Sequence, residues 1–251
     1  MDPILEVRDL VKTFTMHAIG GRKVASLRGV SLDLHAGEHV AVAGASGAGK
    51  SSLLRCIYRN YLPDSGSVVL STGTGRLRLT TLDDRSMARV RGRDFGYVSQ
   101  FLQATPRTGP LELVTRSARR RGVDRADATE AAVTSLRKLG IEERLWEVDC
   151  NVLSGGERQR VNLAAGTVSP PRLLLLDEPV SALDPANRDR ALALIDELAH
   201  QKVSVLAVYH DMHIIKRLAS RVLVMDDGLI VGAGEPDQIF ARHFAALQES
   251  R

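Results

Sequence analysis

Gly44-Ala45-Ser46-Gly47-Ala48-Gly49-Lys50-Ser51 is the stretch whose reading decides the fold of this chain. It fits the pattern G-x-x-x-x-G-K-[ST] at every fixed position. Val40-Ala41-Val42-Ala43 before it is a short β-branched run that predicts a strand. Ser52-Leu53-Leu54 and Ile57-Tyr58 after it place apolar residues at helical spacing. Glycines 44, 47 and 49 let the backbone curl so that successive N–H groups point inward, and the following helix adds the positive end of its dipole. The loop is therefore a cradle for an anion. Lys50 is placed to reach the β- and γ-phosphates of a nucleotide, and the Ser51 hydroxyl to ligate Mg²⁺. Gly44, Ser46, Gly47, Gly49, Lys50, Ser51 and Ser52 form the candidate phosphate-binding set. A glycine-rich turn without a ligand is the plainer account, but a full match between a strand and a helix disfavours it.

The 251 residues accommodate one large α/β domain with an inserted subdomain. The balance of 34 Lys and Arg against 30 Asp and Glu gives a formal charge of +4, too small by itself to imply nucleic acid or a membrane surface. Cys56 and Cys150 lie far apart and match no metal or redox spacing, which points to a reducing compartment. Cys56 falls in the apolar pattern of the helix after the loop, where a thiol acts as a small hydrophobe. No apolar run approaches the length of a membrane span. Met1-Asp2-Pro3-Ile4 lacks the features of an export leader, so the expected location is cytoplasmic.

Ile4–Leu10 alternates as a half-buried strand does, Lys12-Thr13-Phe14 continues it, and Gly20-Gly21 breaks it. Val30–Leu34 resumes the alternation, and Gly37-Glu38 turns the chain into the loop strand, which predicts an antiparallel sheet at the N-terminal end. Phe14 is the only aromatic residue there; stacking on a base and a place in the core suit it equally. Leu62–Gly66 predicts a turn, and Val68–Leu70 with Leu77–Leu79 a hairpin around Gly73-Thr74-Gly75. Phe95–Gln100 predicts a strand that ends on a polar amide. From Phe101 to about Gly166 the pattern is helical, with Ala132, Leu136 and Leu139 on one face and Arg137 and Lys138 on the other. Arg116 and Arg119-Arg120-Arg121 make the densest basic run, read first as a solvated helix face and second as a surface for an acidic partner. Nucleic acid is not expected, because no aromatic residues are interleaved. Leu173–Leu176 predicts a strand covered on both faces, Ala191–Ala199 an amphipathic helix, Val203–Val208 a strand, and Arg221–Ala233 a hairpin around Asp227-Gly228. Strands alternating with helices predict a mainly parallel, doubly wound sheet.

Phosphate chemistry also needs a metal carboxylate and a group that activates water. Asp177 and Glu178 end the polyleucine strand, where such sheets bind ligands. Neighbouring residues at a strand end point in different directions, so Asp177 is assigned to Mg²⁺ and Glu178 to the proton of the attacking water. Ser154-Gly155-Gly156-Glu157 places a hydroxyl and two glycines before a helix, which presents backbone donors to an anion. Ser154 and Glu157 also fit a capping box, and the two readings are compatible.

In this order the segments resemble the ATP-binding cassette (ABC) ATPase family over nearly the whole chain. Lys50 and Ser51 match Walker A, Leu173–Glu178 Walker B, Gln100 the Q-loop glutamine, Ser154–Glu157 the signature, Ser181-Ala182-Leu183-Asp184 the D-loop and His210 the switch histidine. The resemblance implies a P-loop α/β core over 1–100 and 167–251, with an N-terminal antiparallel β subdomain and an inserted helical subdomain over 101–166. It implies ATP and Mg²⁺ as cofactors. Glu178, His210 and Lys50 would act on the γ-phosphate, and Ser51, Gln100 and Asp177 would surround the metal. Phe14 takes the adenine-stacking position, and Ser154, Gly155, Gly156 and Asp184 face nucleotide across a head-to-tail pair of subunits, homodimeric or heterodimeric. Departures are small: Val180 stands where Thr is usual, and Ser52 where Thr is commoner.

Leu54–Gly66, Tyr97–Leu102 with Pro106-Arg107, and Glu143-Arg144-Leu145-Trp146 resemble the L-type ATP-binding subunit of the bacterial carbon–phosphorus lyase system. That resemblance implies soluble lyase subunits as partners in phosphonate metabolism. Asp226–Gly234 instead resembles the ending of many transporter ATPases, whose partner is a membrane permease. A third reading is an assembly factor gated by ATP-driven dimerisation.

Overall fold

A computed structural model describes residues 2–16, 21–100, 102 and 104–243. The expectations that fall on Met1, Gly20 and Phe101 lie outside these residues. In chain order the elements are β1 (Leu5–Met16), β2 (Arg22–Leu34), β3 (His39–Ala43), α1 (Lys50–Ile57), β4 (Ser65–Thr72), β5 (Gly75–Arg78), α2 (Asp84–Arg93) and β6 (Phe95–Val98). They continue with α3 (Pro110–Arg120), α4 (Arg125–Lys138), α5 (Gly155–Thr167), β7 (Leu173–Asp177), α6 (Pro185–His200), β8 (Ser204–Val208), α7 (Met212–Leu218), β9 (Arg221–Asp226), β10 (Leu229–Gly234) and α8 (Pro236–His243).

The chain divides into two compact units, one built from the residues up to Met87 together with those from Ser204 onward, the other from Ala88–Val203. Within the second unit β6 and β7 pair in parallel, Phe95 with Leu173 through Val98 with Leu176, and α5 packs against them. At Gly166 on α5 an added Cβ would stand 2.3 Å from a Val98 methyl, so helix and strand meet at backbone distance.

In the first unit β1 pairs antiparallel with β2 and with β4, and β4 with β5, giving an antiparallel sheet in the order β2-β1-β4-β5. Alternate residues Leu5 and Val7 and their partners Leu32, Leu34, Val68 and Leu70 are buried, so one face of this sheet is core. A second ladder has β3 between β8 and β9, parallel to both, with β10 antiparallel on β9. Every residue of β3, β7 and β8 is buried, as strands covered on both faces require. On β10 exposure alternates along the strand, which suits an edge.

Two helices escape the sequence pattern. In α2 only Met87 and Val90 are deeply buried among many charged residues, and among the described side chains of α8 only Ile239 and Phe240. One correction concerns the basic run. Arg119 and Arg120 are exposed as expected, but Arg121 donates from Nη1 to the carbonyls of Ala165 (3.2 Å) and Val168 (2.7 Å), at the end of α5. It is a helix C-cap and not part of a solvated face. Among the described residues no helix is long and apolar enough to cross a membrane.

Candidate active site

The phosphate loop lies in the first unit, and its shape is set from outside. Gly49 is the N-cap of α1 with φ +99°, a left-handed conformation that a side chain resists. A Cβ there would stand 2.4 Å from the Ser26 carbonyl oxygen, and one at Gly44 would stand 2.1 Å from that of Met225. Both obstacles are backbone and cannot rotate away. The turn between β9 and β10 reaches the same loop. Gly228 donates its N–H to Ala48 O (3.1 Å), and its carbonyl accepts from Arg28 N (2.9 Å). Arg28 Nη1 lies 2.6 Å from Asp227 Oδ2.

Lys50 is buried, and its Nζ donates to the carbonyls of Gly44 (2.9 Å) and Ala45 (2.7 Å). Ser46 and Gly47 are exposed at the loop tip, while Ser52 Oγ accepts from Ser26 Oγ at 2.8 Å. Phe14 is half-buried, and its ring meets Tyr61 edge to face with centroids 5.1 Å apart, so it is not the isolated aromatic that the local sequence suggests. Lys12 Nζ stands 5.3 Å from the Phe14 ring centre. His210 is exposed just past β8, and Asp211 caps α7 by accepting from His213 N at 2.8 Å.

The second unit holds the carboxylates. Asp177 is fully buried at the end of β7 and accepts a hydrogen bond at Oδ2 from the Tyr97 hydroxyl of β6, 2.9 Å away. Glu178 follows with φ +53° and is half-buried; its Oε2 accepts from Gln100 Nε2 at 3.2 Å. The two carboxylates therefore diverge as expected, and Gln100 meets that of Glu178 directly. The Glu178 carbonyl accepts from Gln159 Nε2 at 2.6 Å, and Gln159 Oε1 accepts from Ala182 N at 2.9 Å.

Ser154 caps α5 as the capping box predicts: its Oγ accepts from Glu157 N (3.3 Å), and Glu157 Oε2 accepts from Ser154 N (2.8 Å). The Ser154 hydrogen bonds hold the Glu157 carboxyl below its ordinary value. Ser154 and Gly155 are exposed, so the helix end is presented outward. Asp184 caps α6, accepting from Asn187 N and Nδ2 at 3.1 and 2.6 Å, and those bonds likewise lower its carboxyl pKa.

Tyr97 and Gln159 are absent from the residues that sequence reasoning singles out. The available signal was a polar tip on a buried strand and an amide on a helix that also buries Val161, Leu163 and Ala164. Buried groups of that kind need hydrogen-bond partners. The donor set of hydroxyl, carboxylate and amide oxygens suits Mg²⁺, which takes few protein ligands besides phosphate and water. A cationic loop closed on its own carbonyls suits a polyphosphate equally well.

A strand, a glycine loop with its lysine, and a second strand ending in Asp-Glu define a P-loop nucleoside triphosphatase. The profile of the ABC transporter family matches residues 27–181, well over half of the chain, and the chain belongs to that family as its ATP-binding domain. It is an Mg-ATP-dependent ABC ATPase domain. It is 34% identical over 234 residues to the lipoprotein-releasing system ATP-binding protein LolD of Saccharophagus degradans, covering 93% of this chain and 99% of that protein. It is 32% identical over 249 residues to the methionine import ATP-binding protein MetN of Brucella abortus, covering 99% of this chain but only 64% of MetN. A dimeric post-hydrolysis structure of the ATP-binding cassette MJ0796 bound to ADP and Pi superposes with a TM-score of 0.82 at 26% identity, over 92% of this chain and 98% of that one. These relatives fit the transporter reading and do not support the carbon–phosphorus lyase resemblance.

Proposed function

We propose that this chain is the ATP-hydrolysing subunit of a membrane transporter, docked on a separate permease and working as one half of a pair of nucleotide-binding domains. The observation that carries this reading is the match to LolD along almost the full length of both chains. The dimeric MJ0796 structure supports the pairing.

In this mechanism the loop 44–51 and the Lys50 ammonium hold the phosphates of ATP. Ser51, Asp177 and Gln100 would hold magnesium, which when bound would supply positive charge to the phosphate oxygens. Tyr97 fixes one Asp177 oxygen and so orients the other. Glu178 accepts the proton of the attacking water, with Gln100 steadying its carboxylate, and His210 makes a polar contact to the γ-phosphate. Phe14 packs on the adenine. Ser154, Gly155 and Gly156 close over the nucleotide of the other subunit, with Asp184 at the same interface. One chain carries two phosphate-binding helix ends because each serves a different nucleotide.

A second reading, the L-type subunit of a carbon–phosphorus lyase assembly, is favoured by the Leu54–Gly66 and Glu143–Trp146 stretches. Capture of the native complex from detergent-solubilised cells separates the two. Recovery of an integral permease is the expected result; soluble lyase subunits without a permease would overturn the transporter reading. Hydrolysis is tested with Glu178→Gln, which should bind ATP while its turnover falls by about 10²–10⁴. Wild-type turnover in that variant would remove Glu178 from its role.

A further inference from the structure

We propose that Gln159 is a positioning residue that joins the signature end of α5 to the backbone of the catalytic carboxylate. This rests on the ATPase reading above. Gln159 lies in the second turn of α5 and is 2% exposed. Both ends of its amide are engaged, by Glu178 O at 2.6 Å and Ala182 N at 2.9 Å, so one side chain spans the segment from the carboxylate to the D-loop.

A second attachment lies one turn earlier. An added Cβ on Gly156 would stand 3.3 Å from the Ala182 carbonyl oxygen, so the signature backbone packs on the same residue that Gln159 holds. Ser181 adds its N–H (3.3 Å) and its Oγ (3.2 Å) to the Glu178 carbonyl. That carbonyl belongs to a residue at φ +53°, a conformation a glutamate keeps only when its surroundings enforce it.

The chemistry calls for glutamine. The tip must donate to a carbonyl and accept from an N–H at once, which an amide does and which neither a carboxylate nor a thioether does. A shift at the first turn of α5, where phosphate of the opposing subunit would bind, is passed through this amide to Glu178. Binding at one nucleotide is thereby linked to the geometry of hydrolysis at the other.

The test uses the full chain with Gln159→Met, which keeps the volume and loses both bonds, and Gln159→Glu, which keeps the shape and loses the donor. Turnover should fall between about tenfold and about a hundredfold, as for a misplaced catalytic group. Affinity for a fluorescent ATP analogue should stay within about twofold, because the phosphate loop is untouched. Unchanged turnover, or equal loss of turnover and affinity, would overturn the assignment. Amide exchange of the unmodified protein does not depend on the variants folding. Adding Mg-ATP should change protection at 154–157 and 178–182 together, and a change in one stretch alone counts against the link. If the unmodified protein with its partner hydrolyses no ATP, the ATPase reading itself fails, and this proposal with it.

Discussion

Asp177 and Glu178 are adjacent, yet Tyr97 holds one and Gln100 the other. That the pair points two ways is legible in Leu173–Glu178, because a strand of period two separates neighbouring side chains. The left-handed turn at Glu178 is not legible, since nothing in a glutamate marks it, and an L-residue resists that conformation by about 1–2 kcal/mol. Some of the bonds that enforce it come from residues remote in sequence, Gln159 and Gln100 among them, and so leave no local pattern. The two cysteines are easier to read. Both are buried and free, and burial pushes each thiol up to about 11. At pH 8 they are neutral and shielded, so iodoacetamide should label both far more slowly in the native protein than in urea. Mass spectrometry of timed samples checks this, and labelling at the free-thiol rate would contradict the burial.

At the scale of elements, an ion pair ties the start of β9 to the residue before β3. Arg221 donates to both oxygens of Glu38, at 2.7 and 3.0 Å, and to the carbonyl of Asp33 at 2.6 Å. Burial by itself pushes the Glu38 carboxyl up, but the bonds from Arg221 and from the His35 N–H outweigh it and hold the group below 4.5. The folded pKa is thus depressed, so the contribution is complete above the unfolded value of about 4.5 and is lost as pH falls through the lower folded value. Glu38→Gln should cost about 1–3 kcal/mol at pH 7 and progressively less below pH 4.5. Urea denaturation across pH measures this; a difference that does not shrink in acid would reject it. The strands around this joint are legible because Val40–Ala43 and Val205–Val208 are unbroken apolar runs. Helices α2 and α8 are not, because each buries only two side chains deeply, too few to set a period. Arg121 misleads for a related reason: its neighbours are solvated, and only the arriving end of α5 gives it carbonyls to bond.

At the scale of the molecule, the family is legible because its motifs are separate in sequence and fixed in order, so chance agreement of all of them is remote. Which machine the subunit serves is not, because that depends on a docking surface that phosphate chemistry does not constrain. The proposed pairing makes a direct demand. Glu178→Gln with Mg-ATP should sediment as a dimer, with its natural partner present if the pair is heteromeric, and return to monomer when ATP is replaced by ADP. Only monomers under both conditions would reject head-to-tail closure.

The brace on the phosphate loop also bears on when the protein becomes competent. Ala48 is held by Gly228, and Gly44 is overlaid by Met225, so the loop takes its form from the β9–β10 turn far downstream. During synthesis the loop leaves the ribosome long before that turn exists. A nascent chain carries the glycine sequence without its buttress, and the ability to grip nucleotide arrives late, after β9 and β10 have emerged.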